Sequence, residues 1–196
     1  MSSIHHRSEI ISPLIVPVVI VIIVLTLLPA DIAVLLVGVL TATVTVIAYQ
    51  LKNYLITVLS TAFLLRLGII FTDHTLEILP IPPTAPGNNQ LAIEISTAWS
   101  NGHVIEVIGY GFVHRSLAAQ IVAPFYLILG SSSLAGRIGI TFITLLVGYF
   151  IFRLARHTLD RRTSTLAAGV VLFWPTIIYR SVVFQREMVI VVALLA

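Results

Sequence analysis

The sequence predicts an all-α, polytopic transmembrane protein with about five complete spans, one incomplete span and an interfacial helix in a long external loop. Two observations carry this expectation. Of the 196 residues 58% are hydrophobic and only 10% charged, against roughly 45–50% and about 25% in an ordinary soluble domain, and mean hydropathy is +1.07. So little charge cannot coat a water-facing surface. The apolar residues also come in uninterrupted runs close to the roughly 20 residues that cross about 30 Å of hydrocarbon as a helix. Many of them are Val and Ile, strand formers in water, but an open strand leaves backbone groups unpaired in lipid, so helix wins.

The first run, 10–28, contains no charged residue, and neither does the second, 32–49. Pro13 and Pro17 fall near the start of the first run, where they disturb a helix least. That run is longer than the roughly 7–15 residues of a signal-peptide core and lacks a cleavage pattern at Leu27-Leu28-Pro29-Ala30-Asp31, so it is expected to stay as an anchor. These two helices form a first unit, 1–50, and the remainder, 51–196, a second. Lys52 and Asn53 lead into a third run, 54–71, interrupted by Arg66. The stretch 72–102, with four prolines, Asn88, Asn89 and Asn101, reads as an extramembrane loop in which 90–100 can form a short helix. The run 116–129 is apolar but about 14 residues long, short of the roughly 17–25 of a span, and is expected along the interface. Next come a span at 132–152, the basic segment Arg153, Arg156, His157, Arg161 and Arg162, and a short run at 166–179 that 181–184 can lengthen if Arg180 snorkels. The run 188–196 stops in mid-span.

Lys and Arg near span ends favour the cytoplasm. With Arg7 inside, Lys52 and the cluster 153–162 also fall inside and the loop beginning at Asp73 falls outside, provided that 116–129 does not cross. The net charge of +3 is therefore read as a topology signal; no basic stripe with interleaved aromatics points to nucleic acid. The chain has no cysteine, which excludes disulfides, thiolate metal sites and cysteine nucleophiles. A phosphate-binding Gly-rich loop, a Ser-His-Asp arrangement and a nucleotide fingerprint are all absent from it.

Arg66 is the most costly residue in any span, since a central arginine costs roughly 2.5–3.5 kcal/mol on insertion scales. It is expected either to pair with Asp73, seven residues on and nearly on the same helical face, or to snorkel to headgroups. The external loop gathers Asp73, His74, Glu77, Glu94, His103, Glu106 and His114, the composition of any solvated acidic loop but also of a site. Its histidines lack a metal-ligand spacing such as His-Glu-x-x-His. Glu187, directly after Arg186, opens an apolar run at the same face, where a carboxylate can act as base or bind a metal; both residues also suit a plain interfacial flank.

From residue 107 onward the order of features resembles a known family. Ile108-Gly109-Tyr110-Gly111 is followed by Phe125-Tyr126-Leu127-Ile128-Leu129-Gly130, then Ser131-Ser132-Ser133 and Arg137. The next span runs to Tyr149-Phe150-Ile151-Phe152-Arg153, and Trp174-Pro175 leads to Gln185-Arg186-Glu187. This pattern is similar to that of polytopic glycosyltransferases of the C superfamily, which include protein mannosyltransferases and lipid A aminoarabinose transferases. The resemblance covers about residues 54–196 and would make the chain the N-terminal half of such an enzyme.

The resemblance implies a transferase that takes a sugar from a polyprenyl-phosphate-linked donor at the outer membrane face, with a carboxylate of the first long external loop as base. Asn88 and Asn89 stand where an aspartate is expected, and an amide cannot accept the acceptor's proton, which leaves Asp73 and Glu94 as substitutes. Glu187 matches its motif and is a candidate for catalysis, for a divalent metal ion or for the donor phosphate. Arg66, Arg115 and Arg186 are candidates for the phosphate, because guanidinium suits phosphate oxygens. The implied partners are the sugar lipid, membrane lipids and a second polypeptide supplying the missing half; nucleic acid is not among them. The alternative is a non-catalytic multispan protein that assembles with partners through its helices.

Overall fold

The computed structural model describes residues 30–80, 85–103, 116–183 and 187–195. The expected first span at 10–28, together with Glu106, His114, Arg115, Arg186 and the side chain of Glu187, lies outside the described residues. Within them every regular element is a helix: α1 (Ala30–Gln50), α2 (Tyr54–Leu76), α3 (Ala85–Ser100), α4 (Ser116–Leu129), α5 (Ser133–Ala155), α6 (Arg161–Leu172), α7 (Pro175–Val182) and α8 (Glu187–Leu195).

Three of these, α1, α2 and α5, are long and apolar enough to cross a membrane, and a fourth crossing is available if α6 and α7 count as one bent span. The 23 residues of α2 and of α5 reach about 34 Å each at ~1.5 Å per residue. By the same rise the 14 residues of α4 reach about 21 Å, short of the hydrocarbon core. The described residues thus supply three or four spans; of the five complete ones expected, that at 10–28 lies outside them.

The continuous span expected at 166–179 is broken instead, with α6 and α7 meeting at 58°. The cause is local. Proline pushes the residue before it out of the helical region, and Trp174 has φ −65° and ψ 126°. Pro175 then opens α7 at a position where its missing N–H costs nothing. In an unbroken helix the Leu172 carbonyl would accept from residue 176; the break frees it.

Helix α5 is the hub, packing on α2, α4, α6, α7 and α8. Its buried residues Ile138, Ile140, Ile143 and Val147 meet Phe63, Leu67 and Ile70 of α2 and Val122 and Tyr126 of α4 in one apolar cluster. Small residues let the axes approach, as in other membrane bundles. A Cβ at Gly139 would come within 2.9 Å of the Phe125 ring, and one at Gly148 would strike Leu172. By contrast α1 packs chiefly on α2 and turns Leu35, Val39, Val46 and Tyr49 outward, the surface a helix offers to lipid. Its threonines return their hydroxyls to the helix, Thr41 to the Val37 carbonyl at 2.7 Å and Thr45 to that of Thr41 at 2.8 Å, so no donor is left bare in an apolar medium.

The two ends of the bundle differ in chemistry. Arg161 at the start of α6 donates to the Asn53 side chain at 3.5 Å, which brings the Lys52 turn and the 153–162 segment to one end. Asp160 caps α6: its carboxylate accepts the Arg162 and Thr163 amides at 2.8 and 3.3 Å and the Thr163 hydroxyl at 2.5 Å, which together hold it below its ordinary acid range. Asp73 lies 20 residues along α2 from Asn53, about 30 Å away at the helical rise. There the N-terminal turns of α5 and the C-terminal turn of α7 converge.

Candidate functional site

At this second end Asp73 and Arg137 form an ion pair, Nη2 to Oδ2 at 2.6 Å. Both are mostly shielded, with 9% and 15% of the side chains exposed. The arginine also donates from Nε to the Val182 carbonyl at 2.7 Å, and the other oxygen of Asp73 accepts the Leu79 amide at 2.5 Å. One pair therefore joins α2, α5, α7 and the chain that leaves α2. That chain turns at once: Glu77 takes the left-handed conformation, with φ 49° and ψ 44°, and its N–H returns to the Asp73 carbonyl. Tyr179 adds a bond from its hydroxyl to the Pro80 carbonyl at 3.1 Å.

Beside the pair an open groove of about 410 Å³ runs along α2, lined by Leu64, Leu65, Gly68, Ile69 and Thr72 and closed by Asp73, Ile78 and Leu79. Its wall is almost wholly apolar, and its one carboxylate stands at the end. A groove so lined accepts a hydrocarbon chain along its length and a polar group at Asp73.

Next to this end α3 and α4 pack on each other and α4 on α5. The Tyr126 hydroxyl donates to Asn89 Oδ1, beside Gly136, where a Cβ would collide with the Tyr126 hydroxyl. Burial pushes the Tyr126 phenol well above its ordinary range, so it stays a neutral donor. Asn89, at the position where the family resemblance calls for an aspartate, is thus a structural acceptor. Its neighbour Asn88 is buried, and Asn88 Nδ2 and Ser132 Oγ find no hydrogen-bond partner among the described residues.

Arg66 has a different place from either expectation. It is fully buried, so it neither snorkels nor pairs with Asp73. Its Nη2 donates to the Leu172 carbonyl at 2.5 Å, its Nε to Ser181 Oγ at 2.8 Å and its Nη1 to the Ala62 carbonyl at 2.9 Å. The guanidinium reaches both sides of the α6–α7 break and supplies the donor that the Leu172 carbonyl lost to it. A carbonyl left bare at that depth would cost several kcal/mol, and a neighbouring helix is the usual remedy. Three of its five N–H donors go to the chain's own oxygens, and the guanidinium is buried away from the groove at Asp73.

Glu94, also expected as a site residue, is exposed on α3 and accepts from Gln90 Nε2 at 3.0 Å, an i,i+4 pair on a polar face. The structure does not bring it to Asp73. Arg137 was read from the sequence only as part of the family pattern, and neither it nor Ser181 was named as a site residue. Among the described residues no group of three His, Cys, Asp or Glu side chains can hold a metal ion; the side chain of Glu187, the residue named for one, lies outside them. No family model, curated protein or solved structure matches the chain.

Proposed function

We propose that the chain is a membrane glycosyltransferase-like protein that moves a sugar from a polyprenyl-phosphate-linked donor at the outer membrane face, with Asp73 as its carboxylate. The observation that carries this reading is the apolar groove ending at the Asp73–Arg137 pair. The isoprenoid lies along Leu64, Gly68 and Ile69, and the sugar phosphate sits at the charged end. In transfer, Asp73 accepts the proton of the acceptor hydroxyl as its oxygen bonds to the anomeric carbon. The bond from that carbon to the phosphate oxygen breaks, and the phosphate leaves with the electron pair. Arg137 steadies the carboxylate, and Arg115, Arg186 and Glu187 remain candidates for the phosphate end.

The reading includes five complete spans and one incomplete one, an N-terminus in the cytoplasm of a cell membrane, and a second polypeptide or continuation that completes the enzyme. In a complete, active assembly with a polyprenyl-phosphate sugar as donor, Asp73→Asn lowers transfer at least about 100-fold and Glu187→Gln at least about tenfold, the lower scales of losing a positioned acid or base. Arg137→Gln breaks the same ion pair but keeps the carboxylate, so loss of activity by Asp73→Asn alone separates chemistry from folding. Undiminished transfer by Asp73→Asn removes Asp73 from the site. For orientation, cysteines at the exposed positions Asn101 and Thr163 are expected to label from opposite sides of the membrane; labelling from one side rejects the assignment.

A second reading is favoured by a specific observation, since both oxygens of Asp73 are already occupied within the fold. The pair is then a fastener in a non-catalytic protein that assembles through its helices. Absence of transfer by a complete assembly, with a stable oligomer in detergent, selects it.

A further inference from the structure

The basic end of the bundle carries a pocket that the groove at Asp73 does not account for. It measures about 380 Å³ and is lined by Tyr149, Phe152, Arg153, Arg156 and His157. Positions 149, 152, 153 and 156 recur at the i, i+3, i+4 and i+7 spacing of one helical face, so the end of α5 presents rings first and guanidinium groups a turn later. Both arginines are exposed. Arg156 donates to the Leu159 carbonyl at 3.2 Å. The nearest carboxylate in sequence, Asp160, is committed to capping α6. Among the described residues the one ion pair is Arg137–Asp73 at the far end, so neither guanidinium here is neutralised by an acid.

The order of groups along α5 fits one class of ligand. Leu146 and Tyr149 are exposed below the pocket, on a helix of spanning length, and would stand against acyl chains. The guanidinium groups would stand where headgroup phosphates lie. Tyr at this depth is the usual interfacial residue, and basic pockets at helix ends bind anionic headgroups. We propose that Arg153, Arg156 and His157, over the Tyr149 and Phe152 rings, bind the headgroup phosphate of an anionic phospholipid in the leaflet at the basic end. Tyr149 both lines the pocket and is exposed on the spanning helix next to Leu146, which selects a lipid over a free phosphate.

The test uses the full chain in vesicles of equal phosphatidylglycerol and phosphatidylcholine, extracted gently, with the retained lipid counted by mass spectrometry. Phosphatidylglycerol is expected to be retained about tenfold over phosphatidylcholine, and Arg153→Gln with Arg156→Gln to abolish that preference, on the scale of two basic residues near a surface. Lys52→Gln with Arg162→Gln removes the same charge at the same end without touching the pocket and is expected to leave most of the preference in place. Equal retention of both lipids by the unaltered chain overturns the proposal without reference to any variant. Equal loss in the two double variants overturns it in favour of diffuse attraction. Displacement of phosphatidylglycerol by millimolar inorganic phosphate overturns the lipid in favour of a free anion.

Discussion

Arg66 is fully buried and Arg137 half-buried in one bundle, and they are satisfied in different ways. Arg137, at the end where α2, α5 and α7 converge, faces a carboxylate and one carbonyl. Arg66, deeper along α2, faces two carbonyls and a hydroxyl and has no acid partner among the described residues. Burying a charge demands compensation, and near the helix ends a second ionised side chain supplies it. In mid-span a carboxylate would be a second costly ion, and the partner is instead a backbone opened by the α6–α7 break. The arginine stabilises the break and the break stabilises the arginine. Of the two, only the pair at the end stands beside the open groove, and the proposed chemistry is placed there for that reason.

The comparison can be broken at several points. The largest effect is expected from Arg66→Leu, which strands the Leu172 carbonyl and removes the charged donors that Ser181 Oγ and the Ala62 carbonyl accept from, at about 1–3 kcal/mol each; the Ser181 hydroxyl keeps its bond to the Ile178 carbonyl. Relief from no longer burying a charge offsets part, and a net loss of about 3 kcal/mol is expected in denaturation midpoints measured in detergent. Arg66→Lys keeps the charge but cannot reach three oxygens with one ammonium, and is expected to fall between the two. If Arg66→Leu is as stable as the unaltered chain, the arginine is not what holds the break.

A smaller effect is expected from a double-mutant cycle on Asp73→Asn and Arg137→Gln, with a coupling of about 1–2 kcal/mol as for contacting partners. Additivity within about 0.5 kcal/mol would mean that the short distance carries no energy. The least effect belongs to Asp160 at the basic end. Asp160→Ala removes the α6 cap and is expected to lower the melting temperature less than either change above. Because the folded carboxylate is held below its ordinary range, its contribution is present above the unfolded value and lost as pH falls through the folded one. A melting temperature difference between Asp160→Ala and the unaltered chain should therefore close on acidification; a constant difference would point to a cause other than the carboxylate's charge.

The helices at 32–49, 54–71, 116–129 and 132–152 were legible because hydrophobic length is a local property, and the structure extends three of them by a few residues where the loops begin. Asp73 was named from the sequence as a carboxylate of the external loop that could stand in for the acid the resemblance expects. Its partner was not, since Arg137 is 64 residues away and equally distant arginines had as good a claim. Glu94 shared the composition of the loop but not the convergence of helices that sets Asp73 apart. Trp174-Pro175 was in view as a motif, yet whether a proline bends or breaks a span depends on what can satisfy the freed carbonyl.

By itself, then, the sequence determined that this chain has helices long and apolar enough for a membrane, where most of them lie, and that a cluster of arginines at 153–162 follows one of them. Those facts follow from transfer free energies summed over consecutive residues. The tertiary structure alone decided which arginine meets which acceptor, where an apolar groove meets a carboxylate, and which rings floor the basic pocket. These depend on contacts between residues up to 115 positions apart, set by how α2, α5 and the broken α6–α7 pair pack. Arg66, one of three arginines named from the sequence for a phosphate, is held instead by oxygens of its own fold.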